Sequence, residues 1–212
     1  MSWAWPDRIN SLADGGIRLE PLSLDHIPGL MEAAATASEH EKAMGYVPTP
    51  DDMNVYVNRA LSEKRAGRSF PFAVCLDSGQ PIGTSWFRVF DTWRKKLEIG
   101  FTWYGAPYRR GMANLQTKLL LMSFAFEELD CILVEFLVHE SNQPSRRAVI
   151  ALGAREDGML RRVIPMTDGT FGDVIVFSVS DEEWPAVKAT ISNRLADRRA
   201  AIQDSAPEST SY

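Results

Sequence analysis

The segment most suited to chemistry runs Leu97-Glu98-Ile99-Gly100-Phe101-Thr102-Trp103-Tyr104-Gly105-Ala106-Pro107-Tyr108-Arg109-Arg110-Gly111-Met112-Ala113-Asn114, from a strand pattern into a long helix pattern. A basic, glycine-containing turn at a helix start presents unpaired backbone N–H groups together with the positive end of the helix dipole. An anion fits there, and a pyrophosphate fits well. An ordinary strand-to-helix turn with two exposed arginines would read the same way. The second element is Asn142-Gln143-Pro144-Ser145, followed by Arg146 and Arg147, and it too falls where a strand ends and a helix begins. Taken alone, Asn142 needs no role beyond capping that helix. The two elements gain weight together, because two successive strand–helix junctions then face the same edge of a sheet.

Positioning these junctions requires a particular run of elements. Ile17 to Leu22 alternates apolar and polar residues and predicts a strand, with Pro21 near its end. Residues 24–38 and 51–66 predict two helices, the second opened by Asp51 or Asp52 and stopped near Gly67. From Phe70 the pattern changes to strands over 70–76, 82–89 and 97–104, an antiparallel meander. A helix follows over 111–129, where Leu115, Leu119, Met122, Phe126 and Leu129 recur at three- and four-residue steps as one buried stripe. Strand 131–138 leads into a short helix from Pro144 to Leu152, ended by Gly153. Thr167-Asp168-Gly169 marks a hairpin between strands 154–165 and 170–179, and residues 181–195 predict a last helix. The order implies a mixed α/β fold, a mostly antiparallel central sheet flanked by helices. Residues 17–196 form its single domain; 1–16 read as a flexible lead-in and 197–212 as a disordered tail.

Over Ile17 to Leu195 the chain resembles the GNAT family of acyltransferases, especially the branch of the RimJ and RimL protein N-acetyltransferases. The family's pyrophosphate motif can be laid down in two registers. In one, Gly111 and Ala113 match and Tyr108 replaces the opening Gln or Arg; in the other, Arg109 and Asn114 fit and Met112 takes the glycine's place. The second is favoured, since Lys118 to Leu121 and Phe124 to Glu127 then fall in family positions. Further resemblance lies in Glu98 to Trp103, in Asn142 with Ser145, in Leu152-Gly153-Ala154 with Glu156, Gly158, Leu160 and Arg161, and in Phe177-Ser178 and Glu183-Trp184-Pro185.

The resemblance implies the acyl-CoA N-acyltransferase fold, acetyl-CoA as cosubstrate and no metal. Strands 98–104 and 131–138 are expected to splay, with pantetheine between them on backbone groups of Phe101, Thr102 and Trp103. The diphosphate is expected on Arg109, Arg110, Gly111, Met112, Ala113 and Asn114. An N–H of the 98–104 strand would stabilise the oxyanion, and Asn142 would hold pantetheine or a water. Glu98 is the leading general base, with Glu135 and Glu20 as weaker alternatives. Ser145 is the candidate proton donor to the departing sulfur, because the tyrosine many members carry four residues further on is Val149 here. The alternative is a non-catalytic acetyl-CoA-binding regulatory module, motivated by Met112 and that missing tyrosine. The RimJ/RimL likeness points to protein or peptide N-termini, with small amine metabolites also open. An α-amine titrates near 8 and a lysine near 10.4, a difference of roughly 3.4 kcal/mol in deprotonation at neutral pH, so the α-amine is the easier acceptor.

Composition narrows the remaining classes. The formal charge is -5, and the 23 Lys and Arg are scattered, which gives no support to nucleic-acid binding. No apolar stretch is long enough to span a bilayer, and the two cysteines, Cys75 and Cys131, sit in apolar runs as core thiols, which fits a reducing cytoplasm. A dinucleotide-binding oxidoreductase would need a Gly-x-Gly-x-x-Gly turn after an early strand, which is missing. His26, His40 and His139 read as surface or local hydrogen-bonding residues. The aromatics Phe87, Phe90, Trp93, Trp103 and Tyr104 suit core packing or a homodimer contact, with an acceptor cleft as the other reading.

Overall fold

Strand patterns range from alternating, as in Leu133–His139, to the almost continuously buried run Ser69–Leu76, and the structure, a computed structural model, describes residues 9–43, 47–166 and 169–204. The strands are β1 (Leu12–Asp14), β2 (Ile17–Pro21), β3 (Ser69–Leu76), β4 (Pro81–Asp91), β5 (Lys96–Tyr104), β6 (Leu133–His139), β7 (Arg155–Pro165) and β8 (Phe171–Ser180). They form one sheet in the order β1-β2-β3-β4-β5-β6-β8-β7. Among these pairs only β5 and β6 run parallel, because the chain between them crosses over through a helix instead of turning back.

The helices are α1 (Ile27–Ala35), α2 (Glu39–Ala43), α3 (Met53–Arg65), α4 (Ala113–Ser123), α5 (Gln143–Ile150) and α6 (Trp184–Asp204). α4 runs on into a π-helical turn, Phe124–Glu128. Two apolar clusters hold the helices to the sheet. In one, Ala73, Cys75, Trp86 and Trp103 from the strands meet Leu30, Met53 and Val57 from α1 and α3. In the other, Phe72, Phe87, Leu97 and Ile99 meet Leu121 and Met122 of α4 and Ile191 of α6. Burial of each such side chain contributes about 1.5–3 kcal/mol, which outweighs the modest helix propensity of their β-branched and aromatic members. Of the predicted α4 stripe, Leu115, Met122, Phe126 and Leu129 are buried and Leu119 is half-buried.

The fold starts earlier and ends later than the sequence pattern suggests. Residues 9–16 are not loose: Ile9 is buried, and Leu12 pairs with Leu19 across a turn at Gly15 and Gly16, both at positive φ. α4 holds that turn through Gln116 Nε2, which donates to the Asp14 carbonyl at 3.3 Å. α6 likewise continues past Leu195 to Asp204, where the apolar stripe has ended but Arg198 and Arg199 reach back to the body of the protein. The short α2 has no counterpart in the sequence reading. Thr167 and Asp168 of the expected hairpin turn, and the ends 1–8 and 205–212, lie outside the described residues. Cys75 and Cys131 are buried free thiols, both pushed up to about 12 by burial.

Candidate active site

β5 is irregular where the sequence places most of its chemistry. Thr84 pairs with Trp103 and Trp86 with Gly100, so β5 spends three steps where β4 spends two. The extra residue is a bulge, with Phe101 at φ +46. Its partner strand accommodates this through Gly83, where a Cβ would lie 2.0 Å from the Trp103 carbonyl oxygen. One strand further on, parallel pairing of β5 with β6 stops: the last rung is Glu98 with Glu135, although β5 continues to Tyr104 and β6 to His139. The strands therefore part, and the backbone edge of β5 from Ile99 onward is left open to a ligand.

The bulge sends neighbouring side chains to different faces. On the α3 face lies Glu98, 4% exposed, whose Oε1 accepts from Arg88 Nη1 at 2.7 Å. Burial pushes its carboxyl above the usual carboxylate range, against the opposing pull of Arg88. Phe101 turns its ring against Trp86, 4.5 Å between centroids, with the Arg88 guanidinium 4.3 Å from the ring. Beside it opens a cavity of about 200 Å³ whose lining includes Arg59, Arg68, Arg88, Ser69, Trp86 and Phe101.

On the α4 face Thr102 bonds Ser85 at 2.7 Å and accepts from Lys118 Nζ at 2.8 Å. Lys118 is 4% exposed, makes no ion pair among the described residues, and lies 5.6 Å from the Phe136 ring centroid. Burial pulls its ammonium down to about 7. Trp103 returns to the α3 side as core, its indole donating to the Tyr56 hydroxyl at 3.3 Å. Burial raises that hydroxyl to about 12. The side chains of Phe101, Thr102 and Trp103 thus separate, and what the three share at the gap is backbone.

After β5, the chain turns into α4 with Met112 as N-cap. The first helical bond runs from Gln116 N to Met112 O at 2.9 Å, so the amides of Ala113, Asn114 and Leu115 have no helical acceptor. Arg109 is more committed than its position suggested: Nε donates to the Tyr104 carbonyl at 2.8 Å and Nη1 to Glu41, while Nη2 is buried without a partner. Burial works to raise the Glu41 carboxyl, but its bonds from Arg109 and Ser38 prevail and hold it at about 2. Arg110 sits at φ +58, and its carbonyl accepts from Arg198 Nη1 at 3.3 Å, as does that of Gly111. A Cβ on Gly111 would meet only the Tyr108 carbonyl, at an ordinary 3.7 Å, so the fold itself does not require glycine there. Open amides, an orphaned guanidinium N–H and room above Gly111 suit a diphosphate. Asn114 uses its side-chain oxygen on the Tyr104 hydroxyl, at 3.4 Å.

Across the gap, Asn142 caps α5 by accepting from the Ser145 amide at 3.1 Å. The Ser145 hydroxyl is half-buried and makes no hydrogen bond among the described residues. Val149 is buried in the core. Glu135, the alternative base, is paired with Lys96 at 2.8 Å; Glu20 is paired with Arg18 and bonded to His26, away from the bulge. His139 bonds Ser141. Phe87, Trp103 and Tyr104 are core residues and Trp93 is 81% exposed, so of the aromatics it is Trp86 and Phe101 that line the cavity. Sequence reasoning missed Arg59, Ser69, Arg88, Lys118 and Arg198. Two had a signal: Arg88 faces Glu98 once the meander is paired in register, and Lys118 is a lone charge in an apolar helix stretch.

A family model described as an acetyltransferase (GNAT) domain matches residues 17–155. The chain is similar to the solved structure of a GCN5-related N-acetyltransferase from Brucella melitensis, at 28% identity and TM-score 0.79, covering 89% of this chain and 86% of that one. It shares its fold with Mycobacterium smegmatis RimJ, solved in complex with CoA-disulfide, at 21% identity and TM-score 0.73 over 92% and 96% of the two chains. No curated protein matches the sequence. Among the described residues no helix is long and apolar enough to cross a membrane.

Proposed function

Because the chain belongs to the GNAT acetyltransferase family, we propose that it moves the acetyl group of acetyl-CoA to a primary amine, the α-amine of a peptide or protein N-terminus or of a small metabolite. The observation that carries this reading is the end of β5–β6 pairing at Glu98 and Glu135, beside a bulge that turns free β5 backbone into the gap. Acetyl-CoA supplies an acyl group already activated as a thioester. The first-turn amides of α4 and the orphaned Arg109 Nη2 hold the diphosphate, and the β5 backbone from Phe101 to Trp103 orients the pantetheine arm. An amide of the bulge faces the point where charge develops on the carbonyl oxygen. Positioning of this kind supplies most of what a direct attack needs.

Glu98 takes the proton of the incoming ammonium, directly or through one water. A carboxyl held above its ordinary range by burial is a better base near neutrality than an exposed one, and its Oε2 is free of the Arg88 bond. Ser145 Oγ gives a proton to the departing sulfur. An α-amine asks less of Glu98 than a lysine side chain does, by roughly 3.4 kcal/mol.

Free thiol release from acetyl-CoA, measured with N-terminal peptides, amino acids and polyamines, tests the reading. Turnover with any of these acceptors supports it. Tight acetyl-CoA binding with no thiol released from the whole panel would replace it with a binding module.

A further inference from the structure

The cavity on the α3 face carries charge that the transfer reaction does not use. Arg59, Arg68 and Arg88 line it together with one carboxylate, Glu63. Arg68 is neutralised by Glu63 through two bonds of 2.7 and 2.8 Å, and Arg88 by Glu98. Arg59 makes no close ion pair among the described residues, although Glu63 attracts it at longer range; its guanidinium stands 5.9 Å from the Phe101 ring centroid, over the residue that forms the bulge.

A solvated arginine on a helix is ordinary, but three further features come together at this wall. Ser69 lines the cavity and is 5% exposed, and its buried hydroxyl has no hydrogen-bond partner among the described residues, although buried hydroxyls are normally satisfied. Both strands that form the wall are forced out of ordinary backbone geometry there: Val89 on β4 has φ +43 and Phe101 on β5 has φ +46. A β-branched residue at positive φ is held against its preference, and such strain collects at binding sites. Finally, the cavity, at about 200 Å³, is smaller than a drug-sized ligand site and accepts a group of one amino-acid residue.

We infer that this cavity selects the acceptor: it takes an amine that carries a carboxylate within one residue of the reacting nitrogen, with Arg59 binding the carboxylate and the Ser69 hydroxyl donating to it. The inference rests on the acetyltransferase reading above. A guanidinium suits a carboxylate because its planar fork offers two parallel N–H bonds. Glu98 lies behind Arg88 on the same face, so an amine anchored this way is delivered beside the proposed base. A free acidic or α-amino acid and a peptide beginning with Asp or Glu present the same chemistry.

Two measurements separate this inference from the reading it depends on. In the first, thiol release is compared for Asp-initiated and Asn-initiated peptides, and for free aspartate, asparagine and asparagine amide. A carboxylate preference of about tenfold or more in kcat/KM is expected, with the peptide and free amino-acid arms showing which source is used. Arg59→Glu should reverse that preference toward cationic acceptors, and its retained acetyl-CoA-induced rise in Tm shows the variant is folded. Turnover of all amines without charge preference overturns the inference and leaves the acetyltransferase reading standing. The second is calorimetric binding of N-acetyl-aspartate against N-acetyl-asparagine in the presence of CoA, which needs no turnover. Tighter binding of the aspartate product in the wild type, lost in Arg59→Glu, supports the site even if the peptide panel is inert; equal binding of the two products overturns it.

Discussion

The two faces of the β5 bulge each hold one buried ionisable group, 4% exposed in both cases, yet they are built for different ends. Burial moves both groups toward their neutral forms, Lys118 down to about 7 and Glu98 upward. Among the described residues, Lys118 bonds the hydroxyls of Thr102 and Ser85 and lies near the Phe136 ring, and it is buried in the α4 packing. Glu98 has Arg88 as a counter-ion and lies on the face with the open, arginine-lined cavity. In the proposed mechanism the proton passes to Glu98, and Lys118 has no part in it. On that proposal the Lys118 face, the dry one, holds the shape of the bulge, and the Glu98 face, the wet one, does chemistry with it.

The largest effect expected from breaking this contrast is on stability. A lysine depressed from 10.5 to about 7 is neutral in the folded protein over a pH range where the unfolded chain binds its proton. Stability therefore rises with pH between about 7 and 10.5 on account of this residue, and its full cost, about 5 kcal/mol, is present below pH 7. Lys118→Met should remove that slope. Denaturant unfolding of wild type and variant across pH 6 to 10.5 checks it, read as the difference between the two profiles. The difference is needed because Cys75 and Cys131, raised from 9.0 to about 12, pull stability the other way above pH 9. Parallel profiles would mean that Lys118 stays charged, and the dry face would lose its distinction.

On the wet face the expected effect is in turnover. Glu98→Gln should lower kcat/KM by about 10²–10³ at neutral pH, within the range found for loss of a general base. In the wild type, activity should fall as pH drops through a titration above the ordinary carboxylate value of 4.5, since Glu98 works only when deprotonated. That limb should vanish in Glu98→Gln. A pH–rate profile with the same acid limb in both proteins would assign the base elsewhere.

How much of this contrast was legible in the sequence depends on which interactions are local. The strand meander, the α4 stripe and the cap at Asn142 follow from short-range periodicity and turn chemistry, the 109–114 turn from its glycine and arginines at a helix start, and Glu98 and Phe101 from the family resemblance. The bulge itself was not legible. It appears only when Trp86 and Trp103 are paired in register, because one extra residue in β5 decides whether Phe101 joins the Lys118 side or the Arg88 side. Arg59 and Ser69 belong to the site through contact between α3 and β3, which no spacing encodes. The core reading of Phe87, Trp103 and Tyr104 was legible because they sit in strand patterns, but that Phe101 alone leaves the core at this point depends on the bulge. β1 and the end of α6 escaped notice because each is held by a few polar bonds, such as Gln116 to Asp14 and Arg198 to Arg110, and not by an apolar pattern.

Ser145 tests whether proton handling is confined to the wet face. Its amide, not its hydroxyl, makes the cap bond to Asn142, so Ser145→Ala keeps α5 intact. An approximately tenfold drop in kcat with unchanged acetyl-CoA affinity is expected, at the low end for a general acid because water can replace a serine hydroxyl. Single-turnover kinetics with the wild type and variant give the answer. An unaltered rate would leave Glu98 as the residue that moves protons and would sharpen the division between the faces.

The smallest effect concerns the end of the chain that carries no apolar signal. Arg198 of α6 bonds the Arg110 carbonyl at 3.3 Å and the Gly111 carbonyl as well, which ties down the turn ahead of the Ala113, Asn114 and Leu115 amides, the ones proposed to hold the diphosphate. Since Arg110 is already in the left-handed region, the turn has little preference of its own for that geometry. Arg198→Ala should loosen it and weaken acetyl-CoA binding about fivefold, the loss of roughly one hydrogen bond to a charged group shared between two exposed carbonyls. Calorimetric titration with acetyl-CoA measures this directly. The acid limb of the pH–rate profile should stay where Glu98 sets it, because α6 packs on α4 and bonds the turn, on the other face of the sheet from Glu98. A shift of that limb in Arg198→Ala would mean that the diphosphate turn and the base are coupled through β5, and the two faces of the bulge would then act as one unit.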